Sequence, residues 1–428
     1  MNLSDKKALV MDCGLFTEMA VRLARDFGEV FYWTDWRDAF PEPFQSVIGR
    51  GLEGVERVKF WEEYVDKVDL IFIPDTMFSE TTEFLKRHGY PVAGAGRAEK
   101  LELDRWYGRQ IQKYGREVGE GEGEPSVINL PTQETIKVTG TTNMEKFLRE
   151  NKDYFVKINM FRGLEESFHH VDWKQSEETF YHIAYRLGPF KEEVVFICEE
   201  KLPGCEPGLD GITWEGELMY PTMGGYEEKG VGIIERVYES EKALPRPLLW
   251  LAEGFSSEFI RHKTRFFWSI ECKVDHDMMP YAIDPTIRLA APGTSAIQCE
   301  IITNYSEVVM GLATGERVNP IYSHKYGAAL SMDSPEANDG WHNVNFPKEM
   351  RQWVKLRMAV KCNEDYYCVP GFDGVGCVIG LGDTIEEAVG LVKERVKSVE
   401  GKRLNKDPDK LDDIMKNIEE GKKCGIDF

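Results

Sequence analysis

"FFWSIECKVDHDMMPYAIDPTIR", residues 266–288, holds two apolar runs separated by a turn. Aromatic and β-branched residues dominate both runs, which predicts two strands, and "VDHDMMP" between them predicts a hairpin. Each arm nevertheless carries an acid, Glu271 in the first and Asp284 at the end of the second, 13 residues apart. A hairpin brings these positions together, and two carboxylates held side by side repel unless a cation neutralises them. A hard divalent ion with oxygen ligands, Mg²⁺ or Mn²⁺ bridging nucleotide phosphates, suits such a pair. Two solvated hairpin ends are the plainer reading of the same residues.

Working outward, other strand ends carry charge as well. "DYFVKINM" (153–160) puts Lys157 at the end of an apolar strand, where its ammonium must find water or an anion such as phosphate. "VVFICEEKLPGCE" (194–206) runs from an apolar strand into Glu199, Glu200, Lys201 and Leu202, then a Pro-Gly turn and Glu206. Such an exit can offer backbone groups to an adenine edge and a carboxylate to ribose hydroxyls.

At 428 residues the chain exceeds one ordinary core, so several domains are expected. No apolar run of about 18 residues and no signal-peptide pattern stands out, so a cytoplasmic protein with no membrane association is expected. The net charge of −21 disfavours general nucleic-acid binding, which rests on Lys and Arg neutralising phosphates. The nine cysteines are scattered without zinc-type spacing and read as reduced core thiols.

Residues 1–98 alternate strand, turn and helix, as in "KKALVMDCGLFTEMAVRLARDFGEVFYWTD", and predict an α/β layer domain ending in "VAGAG" (92–96). The single Gly14 is no dinucleotide fingerprint. Residues 99–330 predict an α+β domain: one helix over about 99–114, an acidic glycine loop "GEGEGEP" (119–125), then irregularly alternating strands and helices. Residues 331–428 predict a small α+β domain, with Asp383 and Glu386 in capping-box spacing and an apolar stripe from Ile385 to Val399. From Gly401 onward the charged tail is expected to be a surface appendage. The paired His169 and His170 are expected on the surface of a lid.

In this order the pieces resemble the ATP-grasp superfamily, in particular its phosphoribosylamine–glycine ligase branch, over most of the chain. The matching stretches are "VAGAG" leading into a helix with Glu102 and Arg105, the strand with Lys157, the hinge "EEKLPGCE", the acids Glu271 and Asp284, then Arg288, and finally "GCVIGLGDTIEEAVGLVKERV". The resemblance implies an ATP-grasp fold preceded by an N-terminal α/β domain and followed by a small C-terminal one. It implies ATP and Mg²⁺ as cofactors, with Glu271 and Asp284 on the metal. Arg105 and Lys157 would hold phosphates, the hinge residues Glu199, Glu200, Lys201, Leu202 and Glu206 the nucleoside, and Arg288 the reacting carboxylate. The implied activity joins a small-molecule carboxylate to an amine through an acyl phosphate. Departures are Thr286 where the family has Asn, a loop "NMFRGLEESFHH" with one glycine, Arg105 for lysine, and no N-terminal glycine cluster for phosphoribosylamine. A binding protein without turnover and a kinase using the same site therefore stay open as alternatives.

Overall fold

The computed structural model describes residues 1–34, 45–114, 133–160, 167–290 and 293–428; the acidic glycine loop and residues 161–166 of the Gly-poor loop lie outside them. The first apolar runs form a parallel sheet of β1 (Lys7–Asp12), β2 (Glu29–Thr34), β3 (Val55–Arg57), β4 (Leu70–Phe72) and β5 (Val92–Ala93), in the order β3-β2-β1-β4-β5. Helices cover its faces, which is why β1 and β4 read as unbroken apolar runs. The central strands β1 and β4 end at one edge of the sheet, where Asp12 and Asp75 follow the apolar run.

A smaller antiparallel sheet, order β6-β9-β7-β8, comprises β6 (Thr135–Thr139), β7 (Tyr154–Ile158), β8 (Ser167–His170) and β9 (Val195–Glu200). It packs on the helices Thr141–Glu150 and Trp173–Leu187 around a core of its own, with Met144, Leu148, Val156, Phe180 and Phe196 at its centre.

The third sheet is wholly antiparallel. It takes β10 (Pro207–Trp214), β11 (Glu217–Leu218), β12 (Thr222–Glu228), β13 (Gly232–Tyr238), β14 (Arg265–Val274), β15 (Pro280–Thr286) and β16 (Tyr326–Asp333). β18 (Val354–Leu356) and β21 (Gly374–Gly382) complete it, so strands from both sides of residue 330 share one sheet. β17 (His342–Asn345), β19 (Ala359–Cys362), β20 (Asp365–Cys368) and β22 (Glu400–Gly401) make a fourth, small sheet. The hairpin forms as expected: β14 and β15 pair antiparallel with Glu271 directly opposite Asp284, and a bulge follows Glu271.

One charged knot ties the N-terminal part to the large sheet. Glu300, whose side chain is 2% exposed, takes a bidentate pair from Arg25 at 2.7 Å for each bond and a 2.5 Å bond from Lys355 on β18. Its carboxyl lies at about 2: burial pushes it up, but Lys355 and Arg25 more than offset that push.

Four expectations need correction. The single helix over 99–114 is two, Lys100–Leu103 and Arg105–Tyr114, because Asp104 is extended (φ −120°, ψ 94°). Its Oδ1 accepts the Tyr107 N–H at 3.1 Å and the Asn159 amide at 3.0 Å, so it caps the second helix. The capping box sits one residue later: Thr384 accepts from the Glu387 N–H at 3.1 Å, and Glu387 accepts from the Asp383 N–H at 2.8 Å. The tail is docked rather than appended, because the helix Leu411–Gly421 buries Leu411, Ile414 and Ile418, and Phe428 lies against the rings of Tyr226 and Tyr326. His170 is fully buried, hydrogen-bonded to Ser176 and the Asn151 carbonyl, whereas His169 stacks on Phe155 nearer the surface.

Candidate nucleotide site

The small sheet faces the β14/β15 hairpin across a cleft, and ion pairs join the two sides. Lys157 ends β7 with its side chain 6% exposed, and its ammonium stands 3.1 and 3.2 Å from the two Asp284 oxygens and 3.4 Å from Glu199. Arg109, on the helix Arg105–Tyr114, binds Glu199 through two bonds of 2.5 and 3.1 Å and also donates to the Ile283 carbonyl. Arg105 approaches Asp284 at 3.8 Å while donating to the Ile158 carbonyl at 2.8 Å. Burial alone would raise Asp284 and Glu199, yet these cations hold both below the ordinary carboxylate range. Both are ionised at neutral pH.

Glu271 behaves differently. Burial and the Asp284 charge lift its carboxyl above the ordinary value, although Lys229 stands 3.3 Å away. Its Oε2 is buried and makes no hydrogen bond among the described residues. Two carboxylates directly across from each other, each paired with one lysine, offer hard oxygens that suit a divalent cation, which takes oxygen ligands from protein, phosphate and water together. The floor continues along the sheet through Gly208 and Gly225, opposite Glu271 and Glu235 respectively, so backbone rather than side chains lies between the acids. Glu227, exposed near the end of β12, is raised to about 7 by loss of hydration and then by the Glu271 charge. Asp210 and Glu235 are both raised by burial, and Thr294 donates to Glu235 at 2.5 Å.

A second cluster lies at the ends of β1 and β4, where open parallel sheets bind ligands. Asp12 takes the Tyr32 hydroxyl at 2.7 Å and the Phe16 N–H at 2.9 Å; burial, then the Asp75 charge, raises it to about 6. Cys13 donates to Asp75. Arg288 meets this cluster, with its Nε 3.0 Å from Glu102 and 3.6 Å from Asp75.

The residues expected from the sequence thus divide. Arg105, Lys157, Glu199, Glu271 and Asp284 come together in one cleft. Arg288 lies four residues beyond Asp284 but pairs with Glu102 and Asp75, on the side of the N-terminal sheet. Glu199 is not a strand-end group open to a ligand; it is 1% exposed inside the Arg109 and Lys157 pairs. Glu200 and Lys201 are exposed, Leu202 is half-buried, and Glu206 pairs with Lys273 at 2.8 Å. Sequence reasoning missed Arg109 and Lys229, which sit on a helix and in a turn where surface cations are common. It also missed Asp12 and Asp75, although "VMD" and "IPD" both end apolar runs in an acid.

No family model matches the sequence, and no curated protein does. Solved structures do. Phosphoribosylamine–glycine ligase of Thermotoga maritima is 14% identical, with a TM-score of 0.68 over 94% of this chain and 99% of that one. The biotin carboxylase domain of Hydrogenobacter thermophilus 2-oxoglutarate carboxylase, solved with Mg·ADP and bicarbonate, is 13% identical, with a TM-score of 0.66 over 96% and 94%. N5-carboxyaminoimidazole ribonucleotide synthetase of Thermotoga maritima is 12% identical, with a TM-score of 0.59 over 94% and 100%. Likeness at this level shows the fold, which is the ATP-grasp fold expected from the sequence motifs. Among the described residues no helix is long and apolar enough to cross a membrane.

Proposed function

From the ATP-grasp fold and its charged cleft, we propose that the chain is an ADP-forming carboxylate–amine ligase, a divergent relative of phosphoribosylamine–glycine ligase, acting on small molecules in the cytoplasm. The observation that carries this reading is Lys157, a buried ammonium held between Asp284 and Glu199 at the end of its strand. A cation in that position is ready to exchange one anion for another, and a phosphate oxygen of the nucleotide would be the incoming anion.

A carboxylate is a poor acyl donor because its oxygen leaves badly. Transfer of the γ-phosphoryl group of ATP to that oxygen gives an acyl phosphate, and an amine then attacks the carbonyl carbon and expels phosphate. The protein supplies positioning and charge neutralisation. Glu271 and Asp284 would hold Mg²⁺ or Mn²⁺, whose positive charge would offset that of the phosphates. Lys157 and Arg105 would bind phosphate oxygens once released from Asp284. The hinge from Glu199 through Glu200, Lys201 and Leu202 to Glu206 would border the nucleoside. Arg288, between the hairpin and the N-terminal sheet, would hold the substrate carboxylate or its acyl phosphate, with its charge fixed in place by Glu102.

Mg·ATP at millimolar concentration is expected to raise the melting temperature, with ATP alone giving a smaller rise, because ligand that binds only the native state stabilises by mass action. Absence of any shift would reject the nucleotide site. Lys157→Ala should weaken nucleotide binding about tenfold or more while the protein still folds, since Arg109 continues to neutralise Glu199. A variant that binds Mg·ATP like wild type would remove Lys157 from the phosphate site. A second reading, nucleotide binding without turnover, is favoured by Thr286 and by the lysine already paired with each metal carboxylate. ADP release from a screen of amines crossed with carboxylic acids separates the two, and release of a phosphorylated acceptor would instead mark a kinase.

A further inference from the structure

Arg357 directly follows β18 and is a half-buried cation without a counter-charge. Its side chain makes no hydrogen bond and no ion pair among the described residues, and its guanidinium lies over the Phe372 ring, 5.4 Å from the centroid. The chain holds 74 Asp and Glu against 53 Lys and Arg, so acids to pair with are in excess. A guanidinium partly withdrawn from water and given none of them is costly to keep. Of its three side-chain nitrogens only Nε is sealed from solvent, so the two terminal ones front open space.

Two backbone bonds fix the place of this segment. The Arg357 N–H donates to the Val375 carbonyl at 2.9 Å, on β21, and the Met358 N–H donates to the Gly14 carbonyl at 2.7 Å. The second bond sets residue 357 against the loop that leaves β1. There the half-buried Cys13 donates to Asp75, which in turn lies 3.6 Å from Arg288. Burial holds Arg357 below the ordinary arginine pKa, and the Arg288 charge pushes in the same direction. Glu227, which also feels Glu271, acts on Arg357 as well, so this cation stands between the Arg288 cluster and the nucleotide cleft in its electrostatic surroundings. The two arginines differ in one respect: Arg288 has Glu102 at 3.0 Å, whereas Arg357 has no acid within ion-pair distance among the described residues.

A planar guanidinium with both terminal nitrogens open takes a carboxylate or phosphate through two parallel N–H···O bonds. Arg288 and Arg357 repel each other, and a molecule with an anionic group for each relieves that repulsion. A single carboxylate on Arg288 leaves Arg357 as it was.

We propose that Arg357 holds a second anionic group of the acid substrate, which is therefore a dicarboxylate or a phosphorylated carboxylate rather than a monocarboxylic acid. The carboxylate to be activated lies on Arg288 and the remote anion on Arg357. This rests on the ligase reading for the role of Arg288, while the anion site itself rests on the missing counter-charge.

Calorimetric titration of the full chain without nucleotide tests it. The probes are malonate, succinate and glutarate, then 3-phosphonopropionate, with butyrate as the monocarboxylate. The best dicarboxylate or the phosphonate is expected to bind at least tenfold more tightly than butyrate, and the tighter of the two identifies the remote group. Arg357→Gln should bring that probe down to the butyrate level and leave butyrate itself unchanged. The variant removes a cation that no acid holds, so its melting temperature without ligand stays level or rises; a merely structural arginine would give a fall. Wild-type affinity for every dianion no better than for butyrate, or a preference for dianions that survives in Arg357→Gln, would overturn the proposal. The Mg·ATP thermal shift of wild type is read separately, and its absence rejects the nucleotide reading whatever the dianions do.

Discussion

Glu271→Gln and Asp284→Asn each lower ADP release by about 100-fold or more, the scale of losing one electrostatic contact to a developing charge. The two differ in stability. Glu271 sits above its ordinary pKa because it is buried next to Asp284, so removing its charge relieves repulsion and leaves the melting temperature level or raised. Asp284 is held by Lys157 and Arg105, so its amide variant loses those attractions and melts somewhat lower, with Lys157 still 3.4 Å from Glu199. ADP release with an acid–amine pair that supports turnover measures the first effect. The Mg²⁺-dependent part of the ATP thermal shift measures metal binding without any substrate. If both variants kept wild-type turnover and the full Mg²⁺-dependent shift, the metal assignment would be wrong while the fold stood.

The second large effect is on stability and lies away from the cleft. Glu300→Gln leaves Lys355, itself 3% exposed, without its buried counter-charge, and breaking such a pair from one side costs about 3–5 kcal/mol. A pH titration of wild type reports the same knot. Glu300 titrates at about 2 in the fold against 4.5 for the free group. Its folded pKa is depressed, so its contribution is complete above pH 4.5 and drains away as pH falls towards 2, on the order of 3 kcal/mol in all. Denaturant midpoints across this range should fall more steeply in wild type than in Glu300→Gln. Parallel curves would show that the knot contributes little.

Apolar pattern carried most of the fold into the sequence. The hairpin at 266–288 could be read because both arms bury one face, which fixes the pairing of Glu271 with Asp284. The break at Asp104 could not, because residues 99–114 keep helix-forming composition throughout and the interruption depends on Asn159, 55 positions further on. Arg109 escaped for a related reason: an arginine inside a helix reads as solvent-facing until Glu199, 90 residues away, is brought against it. The sequence offers Glu199 as a hinge residue of the candidate site but does not reveal its burial, since a pair of glutamates closing a strand carries no mark of which one turns inward. The tail was misjudged by its charge, although Leu411, Ile414 and Ile418 repeat at helical spacing and are the residues that dock.

The small sheet β6–β9 keeps a hydrophobic cluster separate from the main one and meets the β14/β15 hairpin through Lys157 and Asp284. Its contact with the hairpin is made of charges, while hydrogen bonds at Asn159 hold it to Asp104, Arg105 and Trp106. Were the two sides to part at the hairpin, the loss would lie in ion pairs and not in apolar burial. That change would answer to ionic strength rather than to the heat capacity that marks global unfolding.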